Sequence, residues 1–427
     1  MKKILIITYY WPPKGGVGVQ RWLKLTKYLC HNHYKPIIYT PQDGISPLQD
    51  YNLLNSISPE LTIIKKKIFE PQKILSWFVK NKPTSDILIK KSNSLFAQFL
   101  IWLRSNLFIP DSRCLWIKPS IRFLTNYLTK HSVDVIISTG PPHSMHMIAL
   151  AIKKKHQNIK WIADFRDPWT EIEYFDQLPL LSIVKKRHLQ LEKKVISHAD
   201  LILSVSPSWA SNLRRMGAKQ TFVLTNGYDL DDYGDDNLDQ NMESEQFVVG
   251  HFGVYNQLRD HSFFWDTINK ISYNEQDFLT NLKFLFAGEV HDTFFTKIKK
   301  HRLDEKLTHY PYLHHKDAIH NMMKCNLLLV TQGDTKSVLG RLPAKFFEYL
   351  GAKKPILAIG KKNSDLEKII SKISYAWFVD FDNTELLYNT ILKIYKMRTL
   401  HYHFNDDTSD FSRENQVKKL IKVMNSL

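Results

Sequence analysis

Cysteines and long apolar segments are both scarce in this sequence of 427 residues. Its three cysteines, Cys30, Cys114 and Cys325, are far apart and form no CxxC pair, which excludes a zinc ribbon and a disulfide framework. Such usage is typical of a reducing, cytoplasmic environment. No segment approaches the roughly 18–20 consecutive apolar residues that a membrane-spanning helix needs. We therefore expect a cytoplasmic protein that does not span the membrane.

Acidic residues are scarce in the first half of the chain. Residues 1–200 hold 30 Lys and Arg against 14 Asp and Glu, a net charge of +16, whereas residues 201–427 hold 29 against 28, a net charge of +1. The first half is expected to meet an anionic partner, such as a membrane surface, a lipid phosphate or a nucleic acid. Because no recognised DNA- or RNA-binding motif is present, nucleic acid is not an expected partner.

Two common phosphate-binding signatures are missing from the glycine-rich loop at residues 15–18. Arg21 stands where a GxGxxG motif would have its last glycine, and the loop is not a GxxxxGK[ST] motif, so NAD, FAD and P-loop sites are disfavoured. Glycines between a strand and the predicted helix 20–29 nevertheless let backbone N–H groups approach a phosphate. A simple chain turn without a ligand is the alternative.

Strands and helices alternate along most of the chain. Short apolar, β-branched runs predict buried strands, and segments such as 20–29, 144–154 and 186–198 predict helices. This alternation is typical of parallel sheets covered on both faces. An acidic, polar stretch at 229–245 predicts a linker between two such series. The predicted strands are 4–8, 36–40, 133–138, 161–165, 201–206 and 222–224 before the linker, and 247–252, 282–287, 326–330, 356–359 and 377–379 after it.

Residues 41–130 fit this alternation poorly. The stretch 65–104 holds nine Lys and Arg against two acids, Glu70 and Asp86, with aromatic side chains between them. One interpretation is an interfacial segment that rests on anionic lipid. The other is a solvated helical insertion with an ordinary packed face. The aromatic residues are Phe69, Trp77, Phe78, Phe96, Phe99 and Trp102.

Two polar motifs follow predicted strands of the first half, at the edge where a parallel sheet binds its ligands. His143 follows Gly-Pro-Pro at 140–142 and either faces a substrate or simply caps the next helix. Arg166 and Asp167 follow the strand 161–165 and either hydrogen-bond a polar substrate or form a structural ion pair. A zinc site is not predicted, because His146 is the one further ligand nearby.

The second half carries a comparable set of residues. Gly253 follows the strand 247–252 and Arg259 comes six residues later, so a glycine turn and an arginine fork can hold a diphosphate. Lys345 and Glu348, three residues apart on a predicted helix, share one face and can bind a phosphate and a ribose hydroxyl. Two cations can stabilise a departing diphosphate without a metal ion, so neither a metal nor another cofactor is expected.

Six motifs occur in an order that is recognisable as a whole. They are Tyr-Tyr-Trp-Pro-Pro at 9–13, Gly-Gly-Val-Gly-Val-Gln-Arg-Trp at 15–22, Gly-Pro-Pro-His-Ser at 140–144, Asp-Phe-Arg-Asp-Pro-Trp at 164–169, Thr-Asn-Gly-Tyr-Asp at 225–229, and the segment 343–355. Through nearly its whole length the chain resembles the retaining nucleotide-sugar glycosyltransferases of family 4 (glycosyl transferases group 1). More narrowly, it is similar to bacterial members that build surface polysaccharides such as lipopolysaccharide or capsule.

The resemblance implies the α/β GT-B architecture, in which two Rossmann-like domains with parallel sheets face a central cleft. A C-terminal helix at 406–427 would cross back to the first domain. The acceptor-binding domain would span 1–228, including the basic and aromatic insertion at 41–130. The linker 229–245 would then lead to a nucleotide-sugar-binding domain at 246–405.

The same resemblance, together with the motifs, gives roles to individual residues. The expected donor-binding residues are Gly15, Gly16, Gly253, Arg259, Lys345 and Glu348. On the acceptor side we expect Gly18 and Arg166, and the expected catalytic residues are His143, Asp167, Arg259 and Lys345.

One position departs from the family pattern. The family has two glutamates in this motif, of which Glu348 matches the second, and the first would fall at Gly340, which has no side chain. That glutamate usually contacts the transferred sugar, so the choice of donor stays open. Asp334, in the same loop, is a possible substitute.

The resemblance implies a hexosyltransferase that transfers a sugar from a nucleotide-sugar donor with retention of configuration, and the positive charge of the first half favours a lipid-linked glycan as the acceptor. It would be cytoplasmic and peripheral on the inner, anionic face of the membrane. A nucleotide-sugar epimerase on the same fold is one alternative. A non-catalytic nucleotide-sugar-binding subunit is another, because of Gly340.

Overall fold

The computed structural model describes residues 2–46, 48–71, 95–173, 175–234, 245–400 and 404–427. The chain forms two compact units. The first comprises Met1–Thr225 and Gln416–Leu427, and the second comprises Asn226–Asn415. Each unit contains one parallel sheet with helices packed on both faces.

The first unit has a seven-stranded sheet in the order β3-β2-β1-β4-β5-β6-β7, with every pair parallel. Its helices are α1 to α6, joined by most of the last helix of the chain, α14 Arg413–Asn425. The strands are β1 Lys3–Ile7, β2 Lys35–Pro41, β3 Thr62–Lys66, β4 Val135–Gly140, β5 Lys160–Phe165, β6 Leu201–Ser204 and β7 Thr221–Val223. The helices are α1 Val17–His31, α2 Leu95–Leu107, α3 Ile117–Lys130, α4 Ser144–Lys155, α5 Ser182–His198 and α6 Pro207–Arg215.

Both faces of this sheet are buried, which explains why its central strands are apolar without interruption. Leu5 packs on one face in a cluster with Trp161, whereas Ile4 packs on the other with Trp22. Leu420, from the helix that runs from Arg413 to Asn425, lies in the same cluster as Ile4. The prediction that the C-terminal helix returns to the first domain is therefore confirmed.

The second unit has a six-stranded parallel sheet in the order β10-β9-β8-β11-β12-β13. Aromatic side chains fill much of its core on both faces. The strands are β8 Phe247–Phe252, β9 Leu282–Ala287, β10 Leu307–Tyr310, β11 Leu327–Thr331, β12 Ile356–Gly360 and β13 Ala376–Asp380. The helices are α7 Ser262–Asn274, α8 Gln276–Asn281, α9 Asp292–Lys300, α10 His315–Met323, α11 Ala344–Ala352, α12 Asp365–Ile370 and α13 Thr384–Met397.

In both sheets the strand order reverses beside the first strand of the unit. The switch lies between β1 and β4 in the first sheet and between β8 and β11 in the second. Loops at the carboxyl ends of strands diverge at such a switch and leave a crevice for a ligand. The motifs at 15–18 and 140–144 flank the first switch, and Gly253 and the segment before α11 flank the second.

Two edge strands and the start of the linker differ from the sequence-based expectation, and one of these strands, β10 Leu307–Tyr310, was not predicted. Residues 41–130 contribute strand β3, which pairs with β2 and extends the sheet. Trp77, Phe78 and Asp86 lie outside the described residues, as do 235–244 of the expected linker. The start of that linker instead packs in the second unit, because the Tyr233 hydroxyl donates to the Glu348 carbonyl at 2.5 Å.

Candidate functional site

At the carboxyl edge of the first sheet, Arg166 joins two of the predicted motifs. Its guanidinium lies against Gly18, where a Cβ would clash with Nη1, and Nη2 donates to the Pro141 carbonyl. The Arg166 backbone N–H also donates to the Gly140 carbonyl, at 3.1 Å. The predicted acceptor-side residues Gly18 and Arg166 thus lie together, and a side chain at position 18 would require the Arg166 guanidinium to move.

Gly15 and Gly16 form the approach to helix α1. Gly16 has φ 97°, a conformation that favours glycine, and it precedes the helix without a capping side chain. The first turn of α1 contains no acidic residue. The positive end of the helix dipole is therefore not neutralised by its own side chains, as an anion-binding loop requires.

His143 is buried at the start of helix α4, between aromatic neighbours. Its ring stacks on the Trp169 indole with centroids 4.3 Å apart and planes 1° apart. Its Nδ1 is buried and has no hydrogen-bond partner in the described part of the chain. Burial, reinforced by His146, holds the pKa of His143 well below 6.5, so the imidazole is neutral at pH 7.

His146 has a structural role under this loop. Its Nδ1 lies 2.8 Å from the Ser138 hydroxyl, which also accepts from the Trp161 indole N–H at 2.9 Å. The ring stacks on Phe165 with centroids 4.7 Å apart. Burial lowers the pKa of His146 to about 3.

The two carboxylates of the motif 164–169 differ sharply. Asp164 is fully buried and accepts from Arg21 at 3.0 Å, from the Trp22 indole at 2.7 Å and from the Thr139 hydroxyl at 2.9 Å. Asp167 is half-buried and makes no hydrogen bond or ion pair with any residue that the structure describes. Asp164 therefore joins strand β5 to helix α1, whereas the Asp167 carboxylate is available to a ligand.

Two glycines, Gly253 and Gly288, lie side by side at the carboxyl edge of the sheet in the second unit, and we call this surface the glycine floor. Gly253, at the end of β8, has φ 139°, and Gly288, at the end of β9, has φ 125°. A Cβ on Gly288 would clash with the Gly253 carbonyl oxygen, so both strand ends need glycine to approach so closely. A Cβ on Gly253 would in turn lie 3.7 Å from Cγ of Lys345.

Arg259 and Lys345 both lie close enough to His251 for their charges to act on its imidazole. His251 is the second-last residue of strand β8. Burial is the main cause that lowers the pKa of His251 to about 4, and the charges of Arg259 and Lys345 contribute to the same shift. Arg259 is held by a 2.9 Å hydrogen bond from Nη1 to the Val254 carbonyl. The predicted pair of cations thus lies at one edge of the second sheet.

Glu348 is paired with Lys345 on the same face of helix α11. The Lys345 Nζ and a Glu348 carboxylate oxygen are 2.6 Å apart, with side chains 26% and 12% exposed. Two tyrosines position this helix: Tyr233 donates to the Glu348 carbonyl, and the Tyr349 hydroxyl accepts from the Phe252 N–H at 2.9 Å. Sequence reasoning missed both tyrosines, because an isolated tyrosine has no periodic signal.

Gly340, where the family's first glutamate would fall, is buried in the short turn Val338–Gly340. Asp334 is 65% exposed, and its carboxylate lies 3.8 Å from the Lys361 Nζ. Gln332, which sequence reasoning also missed, is fully buried and donates to the Arg341 carbonyl at 2.6 Å. The loop before α11 is therefore held by an amide rather than by a carboxylate.

The acidic pair Asp229 and Asp231 forms a turn. The Asp229 carboxylate accepts from the Asp231 N–H at 3.4 Å and caps the turn Leu230–Asp232. Over the ranges that the structure describes, no three His, Cys, Asp or Glu side chains are grouped closely enough to hold a metal ion. No helix within those ranges is long and apolar enough to cross a bilayer.

Comparison with known proteins agrees with this arrangement. The family model described as Glycosyltransferase Family 4 matches residues 15–232. No curated protein sequence matches the chain.

Several solved structures are similar to the whole chain. Sucrose-phosphate synthase from Thermosynechococcus elongatus matches with a TM-score of 0.64 and 13% identity over 100% of this chain and 99% of that one. TarM from S. aureus, solved with fondaparinux, alpha-GlcNAc-glycerol and UDP, matches with a TM-score of 0.60 and 11% identity over 100% of both chains. A putative UDP-N-acetylglucosamine 2-epimerase from Listeria monocytogenes matches with a TM-score of 0.57 and 12% identity over 100% of this chain and 96% of that one.

At such low identities these structures establish the fold and no activity. The predicted GT-B fold, with two Rossmann-like domains, is confirmed. The family match covers just over half of the chain and includes the glycine loop, the His143 loop and the Asp167 loop. The chain belongs to Glycosyltransferase Family 4, and it is a glycosyltransferase.

Proposed function

We propose that this glycosyltransferase moves a hexose from a nucleotide-sugar donor to a lipid-linked glycan, with retention of configuration, during bacterial surface polysaccharide synthesis. The observation that carries the proposal is the pair of cations in the second unit. Arg259 and Lys345 lie at the carboxyl edge of the sheet beside Gly253, and Glu348 adjoins them. This is a charge pattern that suits a nucleoside diphosphate.

The donor would bind to the second unit through this edge. Arg259 and Lys345 would neutralise the diphosphate, and the glycine floor would allow close approach of its oxygens. Glu348, now paired with Lys345, would accept hydrogen bonds from the ribose hydroxyls once the diphosphate competes for the lysine. Because these two cations stabilise the leaving group, we propose that no metal ion or other cofactor takes part.

The acceptor would bind to the first unit beside Gly18 and Arg166, with Gly15 and Gly16 near the diphosphate. In the reaction the bond between the sugar C1 and the diphosphate oxygen breaks, and the acceptor hydroxyl forms the new bond to C1 on the same face. The diphosphate leaves with the electron pair, and the hydroxyl proton passes to it or to Asp167. His143, neutral at pH 7, is better suited to orient the hydroxyl than to remove its proton.

We further propose that the first unit rests on the anionic inner face of the membrane. Asn106 ties helix α2 to the segment before α5, donating to the Pro179 carbonyl at 2.9 Å and accepting from the Leu181 N–H at 2.8 Å. Exposed apolar side chains lie on both joined segments, with Lys186 and Arg187 exposed nearby. These apolar residues are Leu95, Phe96, Phe99, Trp102 and Leu107 on α2, and Leu181 and Ile183 at α5.

Such a surface combines apolar insertion with attraction to anionic lipid. Sedimentation with vesicles that contain phosphatidylglycerol would test it. Replacing Phe96 and Phe99 by serine should release the protein, whereas Tyr273→Ser, which removes an exposed aromatic side chain from the second unit, should not. Equal binding of both variants would contradict the membrane proposal.

A thermal-shift screen against UDP-, GDP-, dTDP- and CMP-sugars without metal tests the donor proposal. A ligand that binds only the folded state stabilises it and so raises its melting temperature. At a ligand concentration of one hundred times the Kd, the added free energy of unfolding is about 2.7 kcal/mol. Stabilisation by one nucleotide class would support the proposal and name the donor. The absence of a shift with all four classes would contradict it.

Two alternatives remain, each suggested by one observation. The same fold is found in the putative 2-epimerase, and an epimerase would convert the donor without an acceptor. Gly340 in place of the family's glutamate favours a non-catalytic nucleotide-sugar-binding subunit. Product analysis separates the three: sugar on the acceptor supports transfer, an epimerised donor supports the epimerase, and nucleotide binding without turnover supports the subunit.

A further inference from the structure

Two buried histidines at the start of helix α4 have incomplete hydrogen bonds. The His143 Nδ1 and the His146 Nε2 are both fully buried, and neither has a hydrogen-bond partner in the described part of the chain. A buried polar atom without a partner raises the free energy of the folded state. His143 does not cap helix α4, because the helix begins without a hydrogen bond from a capping side chain. Both nitrogens therefore call for another explanation.

The two unpartnered nitrogens meet beside Gly140. A Cβ at Gly140 would lie 2.6 Å from the His146 Nε2 and 3.1 Å from the His143 Nδ1, so a side chain there would press on both imidazoles at the same place. The centroids of the two rings are 5.7 Å apart. A hydrogen bond between the nitrogens, direct or through a single water molecule, satisfies both if one of them donates and the other accepts.

The Ser138 hydroxyl decides which nitrogen of His146 carries the proton. Its oxygen accepts from the Trp161 indole N–H at 2.9 Å and lies 2.8 Å from the His146 Nδ1. The Ser138 hydroxyl makes no other hydrogen bond with the residues that the structure describes, so its proton is donated to the His146 Nδ1. Burial lowers the pKa of His146 to about 3, and the neutral ring therefore carries its one proton on Nε2.

The proton of His143 then belongs on its outer nitrogen. Because the His146 Nε2–H is a donor, the His143 Nδ1 beside it has to accept; a proton on this nitrogen too would leave two buried donors facing each other. His143 is also neutral at pH 7, so its one proton is on Nε2. The His143 Nε2 makes no hydrogen bond with the described residues and, unlike Nδ1, is not fully buried, which leaves it available to a ligand.

The Trp169 indole holds the His143 ring in this orientation. The two rings are stacked with planes 1° apart. Trp169 is itself fixed, because its indole N–H donates to the His188 Nδ1 at 3.1 Å and its backbone N–H donates to the Glu192 carboxylate at 3.2 Å. With the ring held in this way, the tautomer decides whether His143 presents a hydrogen-bond donor or an acceptor to a substrate.

We propose that His146 is a positioning residue that fixes His143 as a hydrogen-bond donor. The hydrogen bonds run from Trp161 through Ser138 and His146 to His143, and the last group of the series is the His143 Nε2–H. This group donates to a substrate oxygen and has no lone pair with which to remove a proton. That the oxygen belongs to the acceptor hydroxyl rests on the proposed function, whereas the tautomers are a property of the protein without substrate.

Heteronuclear NMR of the full chain with isotope-labelled histidine measures the tautomers directly. Long-range correlation of ring protons with ring nitrogens distinguishes an imidazole protonated on Nδ1 from one protonated on Nε2. The signals that disappear in His143→Gln and in His146→Gln assign the two rings. At pH 7 we expect both rings to be protonated on Nε2. A His143 ring that is protonated mainly on Nδ1, or that is an equal mixture, would overturn the proposal.

Substitution of His146 tests whether it acts on His143. In His146→Gln the side-chain amide can still donate to the His143 Nδ1, whereas His146→Leu removes the donor. We expect His143 to keep its tautomer in the glutamine variant and to show both tautomers in the leucine variant. His131→Leu, which removes an exposed histidine from the same unit, is the matched control and should leave the His143 signals unchanged. Unchanged signals in a folded His146→Leu protein would reject the role of His146.

Initial rates of sugar transfer separate positioning from a purely structural role. His146→Leu should lower kcat about tenfold, the effect of one misplaced hydrogen bond, and should leave KM within about twofold. His146→Gln should retain most of the parent's kcat, with the melting temperatures of both variants as the check on folding. A structural role predicts the reverse order, because leucine leaves no unpartnered polar atom in the core, and that order or an equal loss would overturn the proposal. If the parent transfers no sugar, the proposed function fails, and the NMR measurement still decides the inference.

Discussion

The two units each place an ion pair at the carboxyl edge of the sheet, and the two pairs differ in what surrounds them. In the first unit, Arg21 and Asp164 are fully buried, 3.0 Å apart, with Trp22 and Thr139 completing the carboxylate's hydrogen bonds. In the second, Lys345 and Glu348 are 2.6 Å apart and partly exposed. The first pair has no capacity left for a ligand, whereas the second can exchange its partner for one.

This difference shows that a charged motif at a strand end does not by itself indicate a site. Arg21 also donates to the Leu224 and Thr225 carbonyls, at 2.9 and 2.8 Å, so its guanidinium joins α1 to the end of the first unit. A buried charge with every hydrogen bond satisfied stabilises one structure and resists rearrangement. A half-exposed charge is the better candidate for binding.

The strongest test of the comparison removes the buried arginine. Arg21→Met should lower the free energy of unfolding by about 3–5 kcal/mol, because it leaves the Asp164 carboxylate buried without its cation. Urea denaturation of the purified variant measures this change. Lys368→Met, which removes an exposed partner of Asp365, is the control and should cost less than about 1 kcal/mol. Equal losses in the two variants would mean that burial does not separate the pairs.

The next test removes the exposed lysine. Lys345→Ala should reduce sugar transfer by about 100- to 1,000-fold, because the leaving diphosphate loses one of its two stabilising cations. Its unfolding free energy should change by less than about 1 kcal/mol, since the pair is partly exposed. Initial rates with saturating acceptor, together with a urea titration, measure both quantities. Full activity would remove Lys345 from the site.

A third carboxylate, Glu192, extends the comparison to a buried acid that has no cationic partner among the described residues. It accepts from the Trp169 N–H at 3.2 Å and from the Thr170 hydroxyl at 2.5 Å. Burial raises the pKa of Glu192 from 4.5 to about 7. The folded state therefore holds a proton that the unfolded state has lost, so stability should fall as pH rises from about 4.5 to about 7, by up to about 1.4 kcal/mol per pH unit.

Glu192→Gln should remove this dependence. The amide is neutral at every pH, so the variant should match the parent at pH 4 and be the more stable protein at pH 8. Thermal unfolding at a series of pH values measures the difference. If the difference in stability between variant and parent does not change with pH, ionisation of Glu192 does not cause the pH dependence.

The sequence predicted the interior of both sheets and missed one edge strand in each. Central strands such as β1 and β11 are buried on both faces and so read as unbroken apolar runs. β3 and β10 pair on one side alone, are partly exposed, and carry polar residues such as Lys65 and His309. A partly exposed edge strand can carry polar residues, so it lacks the continuous apolar run that predicts a buried strand. The amino-acid composition therefore does not predict its pairing.

Prediction of the site had a similar limit. The spacing of Lys345 and Glu348 was enough to predict that they share a helix face, because three residues make nearly one turn. The contact between Arg166 and Gly18 joins residues far apart in sequence, and nothing local signals it. The roles given to these residues in donor and acceptor binding remain predictions.

The smallest expected effect separates binding from stability within the exposed pair itself. Glu348→Gln keeps the shape of the side chain but removes its charge, and the loss of a partly exposed pair three residues apart should cost under about 0.5 kcal/mol. If the carboxylate holds the donor ribose, the affinity for the nucleoside diphosphate should fall about tenfold, because a hydrogen bond to a charged group contributes roughly 1.5–3 kcal/mol.

Inorganic pyrophosphate, which has no ribose, is the internal control. Its affinity for the protein should rise or stay constant, since Lys345 is released from its partner. If Glu348→Gln instead weakened pyrophosphate and nucleotide equally, the carboxylate would act by positioning Lys345 and not by binding the ribose. The exposed pair would then resemble the buried one, with its carboxylate holding a cation in place.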